Sequence, residues 1–119
     1  MRYVSTRGAA PILDFGDTLL AGLADDGGLY VPESWPALAT GGRGDYVETA
    51  VEVMLPFVDG SITEDDFAAM VADAYTAFDA PDVTPLVELS DGVHLLELFH
   101  GPTLAFKDVA LQLVGRLFD

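Results

Sequence analysis

The spacing of apolar residues along the chain changes several times, and each change marks an element. Arg2-Tyr3-Val4-Ser5 reads as a short strand, closed by a turn at Thr6-Arg7-Gly8. Phe15, Leu19, Leu20 and Leu23 recur at helical spacing, which predicts a helix over 15–24 with Asp14 as its N-cap and Asp26-Gly27-Gly28 as its stop. Leu29-Tyr30-Val31 before Pro32 is a second short extended segment, and 32–44 is a loop rich in Pro, Gly and Thr with Trp35 as its anchor. A helix follows over 45–58, with Tyr46, Ala50, Val53, Met54 and Phe57 on one face and Pro56 set to terminate or distort its end. The next helix starts at Thr63, a candidate N-cap, with Glu64, Asp65 and Asp66 where the helix dipole favours acids. Ile62 and Phe67 stand at the positions of a hydrophobic staple, and Phe67, Met70, Val71, Ala74, Tyr75 and Phe78 continue the apolar face as core. After a connector marked by Pro81 and Pro85, Leu86–Leu89 and Val93–Phe99 are β-like runs around Asp91-Gly92, a type I′ hairpin signal.

A last helix begins after His100-Gly101-Pro102. From Ala105 onward, Phe106, Val109, Leu113 and Leu117 line one side, while Ala110, Leu111, Val114 and Phe118 widen the apolar surface beyond one face. Such a helix needs cover on several sides. The chain is therefore expected either to be a fragment or to assemble through this helix; an ordinary amphipathic helix docked on its own core is the alternative. The predicted fold class is α/β: a small mixed α/β domain with a helical pair, then a β-hairpin and one helix.

Composition narrows the function. The chain has 119 residues, and half of them are hydrophobic, which excludes wholesale disorder. The absence of cysteine excludes a disulfide scaffold, a thiolate metal site and a cysteine nucleophile. Twenty acids against five bases give a net charge of −15, which argues against nucleic acid and against anionic membranes as partners. No apolar run is long enough to span a bilayer, and Met1-Arg2-Tyr3 is not followed by a signal-peptide core, so a cytoplasmic protein is expected. Glu64-Asp65-Asp66 and Asp25-Asp26 read as helix-start and solvated-turn acids, so no metal site is assigned. Gly27 and Gly28 read as a turn with positive φ rather than a phosphate cradle, because no Gly-x-Gly-x-x-Gly spacing accompanies them.

Lys107 is the only lysine, in Gly101-Pro102-Thr103-Leu104-Ala105-Phe106-Lys107-Asp108. Shielding by Phe106 and the Leu-rich strand would desolvate its amine and make it nucleophilic, able to form a Schiff base with an aldehyde. Alternatively it is a surface lysine paired with Asp108 or another carboxylate. Asp108 itself either bonds within the first helical turn or tunes Lys107.

The wording of this region adds a further reading. Leu96-Glu97-Leu98-Phe99-His100-Gly101-Pro102-Thr103-Leu104-Ala105-Phe106-Lys107-Asp108 closely resembles the cofactor-lysine segment of threonine synthase, a branch of the fold type II pyridoxal-phosphate (PLP) enzymes with a distinct N-terminal domain. Tyr3-Val4-Ser5-Thr6-Arg7-Gly8, Leu20-Ala21-Gly22-Leu23-Ala24 and Asp26-Gly27-Gly28-Leu29-Tyr30-Val31-Pro32 resemble the opening of that domain. The resemblance implies that 1–84 is the N-terminal domain and 85–119 the start of an incomplete, truncated PLP-dependent catalytic domain. It implies an enzyme converting O-phospho-L-homoserine and water to L-threonine and phosphate, with Lys107 as the catalytic Schiff-base lysine and Phe106 and Leu104 as its apolar wall. Thr103 and His100 are further candidates for cofactor contact. For Thr103 the alternative is a cap on the last helix, and for His100 a hydrogen bond to backbone. The family's glycine-rich phosphate loop is expected downstream of this sequence, and five cations cannot build sites for two anionic ligands. The chain alone is thus expected to be inactive and to hold the cofactor poorly. A PLP-dependent phospholyase giving a 2-oxo acid, or a free-standing acidic interaction module without catalysis, are the competing readings.

Overall fold

A computed structural model describes residues 1–38 and 44–119. Part of the loop expected over 32–44, including Arg43, lies outside the described residues. The chain divides into two compact units, Met1–Gly42 with Val51–Phe67, and Arg43–Ala50 with Ala68–Asp119. Among the described residues there are four α-helices and two two-stranded antiparallel sheets, a small mixed α/β arrangement.

In the first unit, β1 (Tyr3–Ser5) pairs with β2 (Tyr30–Pro32), Tyr3 opposite Pro32 and Ser5 opposite Tyr30. Tyr3 is buried and tilts against Phe15, and its hydroxyl donates to the Phe57 carbonyl at 2.8 Å, which satisfies the one polar atom of a core side chain. Asp14 caps α1 (Phe15–Ala21) by accepting from the Asp17 amide at 2.8 Å. The helix is three residues shorter than its periodicity predicts, 15–21 against 15–24, because Gly22 turns left-handed with φ 68° and its amide closes on the Thr18 carbonyl. Leu23 leaves the helix to bridge Leu29, and both Leu20 and Leu23 are exposed rather than inward. Trp35 is also 77% exposed and meets Phe57 edge-on, a partial anchor only.

The acids of the 25–28 turn correct the sequence reading. Asp26 is no solvated acid: it accepts from the Ser5 hydroxyl at 2.7 and 2.8 Å and from the amides of Ala9, Ala10 and Gly28 at 2.9–3.0 Å. The Ser5 bond leads in holding its carboxyl below the ordinary range, against a contrary push from desolvation, and the three amides add to it. Gly27, at φ 79°, makes the turn as expected, but Gly28 has no positive φ; a Cβ there would run into Ser5 and Asp26, so close packing is what requires glycine at 28.

The helical pair is α2 (Tyr46–Val58) and α3 (Glu64–Tyr75). Asp45 and Glu48 exchange side-chain-to-amide bonds at 2.9 and 3.1 Å, a capping box at the start of α2. Pro56 sits within the last turn, and the helix ends two residues later at Val58. Thr63 caps α3 as expected, accepting from the Asp66 amide at 3.2 Å and donating to its carboxylate at 2.7 Å.

In the second unit Val71, Ala74, Tyr75, Val83 and Leu113 are buried. Tyr75 joins α3 to α4 (Asp108–Leu117): its hydroxyl donates to the Val109 carbonyl at 3.0 Å, while its ring meets Tyr46 and Phe78 edge-on. Arg116 ties the far end of α4 to Asp73 at 2.7 Å. β3 (Leu86–Ser90) and β4 (Val93–Leu96) form the predicted hairpin, with every residue exposed. Its turn is not type I′. Of its two central residues only Gly92 takes a positive φ, and the strand register shifts between Glu88 and Ser90, beside the turn. No described helix is long and apolar enough to cross a membrane.

Candidate active site

The segment that carries Lys107 starts where β4 ends. Glu97 donates its amide to the Pro85 carbonyl at 2.9 Å, and the chain then runs without regular structure to Lys107. Leu104 turns left-handed at φ 59° and bonds back to the Gly101 carbonyl at 3.0 Å. A leucine in that region is costly, so the surroundings must hold it there. The turn also delays the last helix, which begins at Asp108 rather than near Ala105. The amides of Asp108 and Val109 go to the carbonyls of Ala105 and Phe106, and those of Ala110 and Leu111 both go to Lys107. The first-turn amides of α4 are therefore taken and do not form a cradle for a ligand phosphate.

Asp108 holds this turn. Its side chain is buried, at 2% exposure, and one carboxylate oxygen accepts both the amide and the hydroxyl of Thr103, each at 2.8 Å. Gln112 reaches the other oxygen at 3.3 Å. Burial pushes the carboxyl up, but these hydrogen bonds outweigh it and hold the group below the ordinary range. Thr103 thus does not cap α4: its hydroxyl donates to Asp108 instead of accepting a helix amide. Gly101 is buried against the same side chain, and a Cβ there would run into the Asp108 Cβ and lie 2.7 Å from its carboxylate. Asp108 also makes no ion pair with Lys107.

His100 is fixed on both ring nitrogens. Nδ1 meets the Asp79 carboxylate at 2.8 Å and Nε2 meets Glu97 at 2.7 Å, while the His100 carbonyl accepts from the Asp79 amide at 3.0 Å. The bond to Glu97, then that to Asp79, holds the imidazole pKa above its ordinary value. Both partners are carboxylates, so the arrangement favours a ring protonated on both nitrogens. It also stacks on Phe99 at 4.8 Å. The structure thus ties His100 to carboxylates rather than to backbone through its ring, and leaves neither nitrogen open to a phosphate oxygen.

Lys107 itself is exposed and has no ion pair or hydrogen bond from its amine among the described residues. The expected apolar wall is not built here, since Phe106 and Leu104 are 66% and 71% exposed. The apolar positions of α4 likewise do not form one open surface: Leu113 is buried, while Leu111 and Phe118 are exposed. What the segment offers is an accessible amine at the base of a braced turn. That suits covalent attachment of an aldehyde but supplies no phosphate site.

The family model described as the threonine synthase N terminus matches residues 2–75. The chain belongs to that family. A threonine synthase of Pseudomonas aeruginosa is 55% identical over 124 aligned residues, covering all of this chain and 26% of that protein. A Xenopus laevis protein named threonine synthase-like 2 is 36% identical, again over the whole chain and 26% of its own length. The crystal structure of a PLP-bound threonine synthase from Brucella melitensis matches with a TM-score of 0.93 at 52% identity, covering 98% of this chain and 26% of that one. The chain thus spans about a quarter of the length of these threonine synthases. The likeness first read from a few short segments extends through the helical pair between them.

Sequence reading missed the acids that hold His100 and left the role of Asp108 open. Asp79 lies 21 residues from His100 with no motif to link them. For Asp108 the sequence offered a bond within the first helical turn or tuning of Lys107, and for Thr103 cofactor contact or a cap; the link between the two, with Thr103 as donor, was not foreseen.

Proposed function

We propose that the chain is part of a cytoplasmic, PLP-dependent threonine synthase, in which residues 1–84 form the N-terminal domain, residues 85–119 begin the catalytic domain, and Lys107 is the amine that carries the cofactor. The reaction is conversion of O-phospho-L-homoserine and water to L-threonine and phosphate. The observation that carries this reading is the chain's sole lysine, exposed and without an ion pair among the described residues at the base of α4, within a segment that resembles the family's cofactor-lysine sequence.

Pyridoxal phosphate supplies an aldehyde that condenses with an amine and a ring that takes up electron density from the substrate. Lys107 Nζ would hold the cofactor, and as a free amine it would move protons at the substrate's α and β carbons. Phe106 and Leu104, both exposed, are the apolar neighbours available to the bound cofactor. Thr103 and His100 act through the turn that they hold, since their polar groups are already engaged. Sites for the two phosphates lie with the remainder of the enzyme. The bare apolar hairpin residues Leu86, Leu89, Val93 and Leu96 give that remainder a surface to cover.

The test is a product assay on the intact protein with O-phospho-L-homoserine. Phosphate and threonine in equal amounts are expected, and Lys107→Ala should lower turnover by about a thousandfold or more, as for loss of a group serving both as attachment point and acid–base. Phosphate accompanied by a 2-oxo acid would replace synthase with phospholyase. An unchanged rate in Lys107→Ala would remove the lysine assignment.

A further inference from the structure

Asp108 is the one buried carboxylate in the Lys107 segment, and the proposed chemistry has no direct use for it. It carries a charge with no cation beside it among the described residues, in a position where burial alone would drive it neutral. Three donors, Thr103 N–H, Thr103 O–H and Gln112 Nε2, compensate for that burial. Gly101 is held without a side chain so that its backbone can close on Asp108. Leu104 is held left-handed within the same closed turn.

This arrangement has a directional consequence. Asp108 is the first residue of α4, and Lys107 immediately precedes it with helical backbone angles, φ −62° and ψ −25°. Consecutive residues on a helix point about 100° apart around its axis. A side chain locked inward at 108 therefore fixes the direction in which the side chain at 107 leaves. We propose that Asp108 is a positioning residue for Lys107: bonded inward to Thr103, it sets the start of α4 and aims the lysine amine out of the turn. This rests on Lys107 being the cofactor amine, so the test reads the brace and the amine separately.

The intact protein is incubated with pyridoxal phosphate, reduced with borohydride, and the rate of pyridoxyl incorporation at Lys107 is measured per folded molecule. Hydrogen exchange of the Thr103 amide, in protein without cofactor, reports the brace itself. Asp108→Ala should speed Thr103 exchange and slow Lys107 labelling, each by about tenfold, the scale expected when a reacting group loses its orientation. Asp108→Asn keeps an oxygen that can accept both Thr103 bonds, and should return both readouts to within about threefold of the parent. Thr103→Val keeps the amide bond but loses the hydroxyl, and should fall between the two. If Asp108→Ala does not fold, Thr103→Val against Asp108→Asn carries the comparison. Faster Thr103 exchange with labelling at the parent rate, in either Asp108→Ala or Thr103→Val, overturns the positioning role. Absence of label on Lys107 in the parent protein overturns instead the cofactor reading beneath it.

Discussion

Among the described residues, two aspartates hold turns through carboxylates that no cation pairs, and they do it on different scales. Asp26 draws its donors from Ser5, Ala9, Ala10 and Gly28, so three of its four partners lie 16 to 21 residues away in sequence. Asp108 draws on Thr103 and Gln112, only five and four residues away. The first knits β1, the loop after it and the 25–28 turn into one unit. The second closes one turn, next to Lys107. A chain with 20 acids and five bases cannot pair most of its carboxylates with cations, so those it draws out of solvent must be satisfied by amides and hydroxyls. The contrast separates a carboxylate that maintains a fold from one that maintains a geometry.

The strongest way to break that contrast is Asp26→Ala. It leaves one hydroxyl and three amides without an acceptor. The intact protein's apparent Tm should drop on the order of 10 °C, with faster exchange at Ala9 and Ala10. Lys107 labelling per folded molecule should stay at the parent rate; a parallel fall in labelling would erase the distinction between the two acids.

A smaller effect is expected from a pair of glycine substitutions. Gly101→Ala drives a Cβ into Asp108 and should slow Lys107 labelling about as much as Asp108→Ala does, roughly tenfold. Gly27→Ala forces a side chain into a left-handed position, but the atoms it meets are the flexible end of Arg7. That change should cost about 1 kcal/mol of stability, read from denaturant melts, and leave labelling alone.

The mildest probe is pH. Asp26 and Asp108 both have carboxyls held below the ordinary 3.8, so the stability they add is fully present above that value and is lost as pH falls through their lower folded-state values. His100 has the opposite sign. Its pKa is raised above 6.5, so its contribution is complete below 6.5 and is lost as pH rises through the folded-state value. Exchange at Thr103 and Ala10 should therefore rise together in acid, while the contribution of the charged His100 ring to its clamp is lost on the alkaline side. A His100 ring that loses its charge below pH 6.5 would contradict these assignments.

Local signals were the legible part of the sequence. Asp14 and Thr63 cap the helices they were read to cap, the Asp91-Gly92 hairpin forms, and Phe67, Val71 and Tyr75 are core. What escaped was set by contacts distant in sequence or by backbone strain. Nothing local distinguishes Asp26, with its remote donors, from a solvated turn acid. Leu104 does not advertise a left-handed conformation, yet that conformation moves the start of α4 to Asp108 and converts Thr103 from cap to donor. Leu20 and Leu23 obey the helical period, but Gly22 ends the helix before Leu23 can follow it.

The central claim is that Lys107 is the cofactor amine, and locating the covalent label tests it most directly. After the intact protein is treated with pyridoxal phosphate and borohydride and digested, the pyridoxyl group should be found on Lys107, and substitution of that lysine should abolish it. A label carried by another amine, with Lys107 unmodified, would contradict the account.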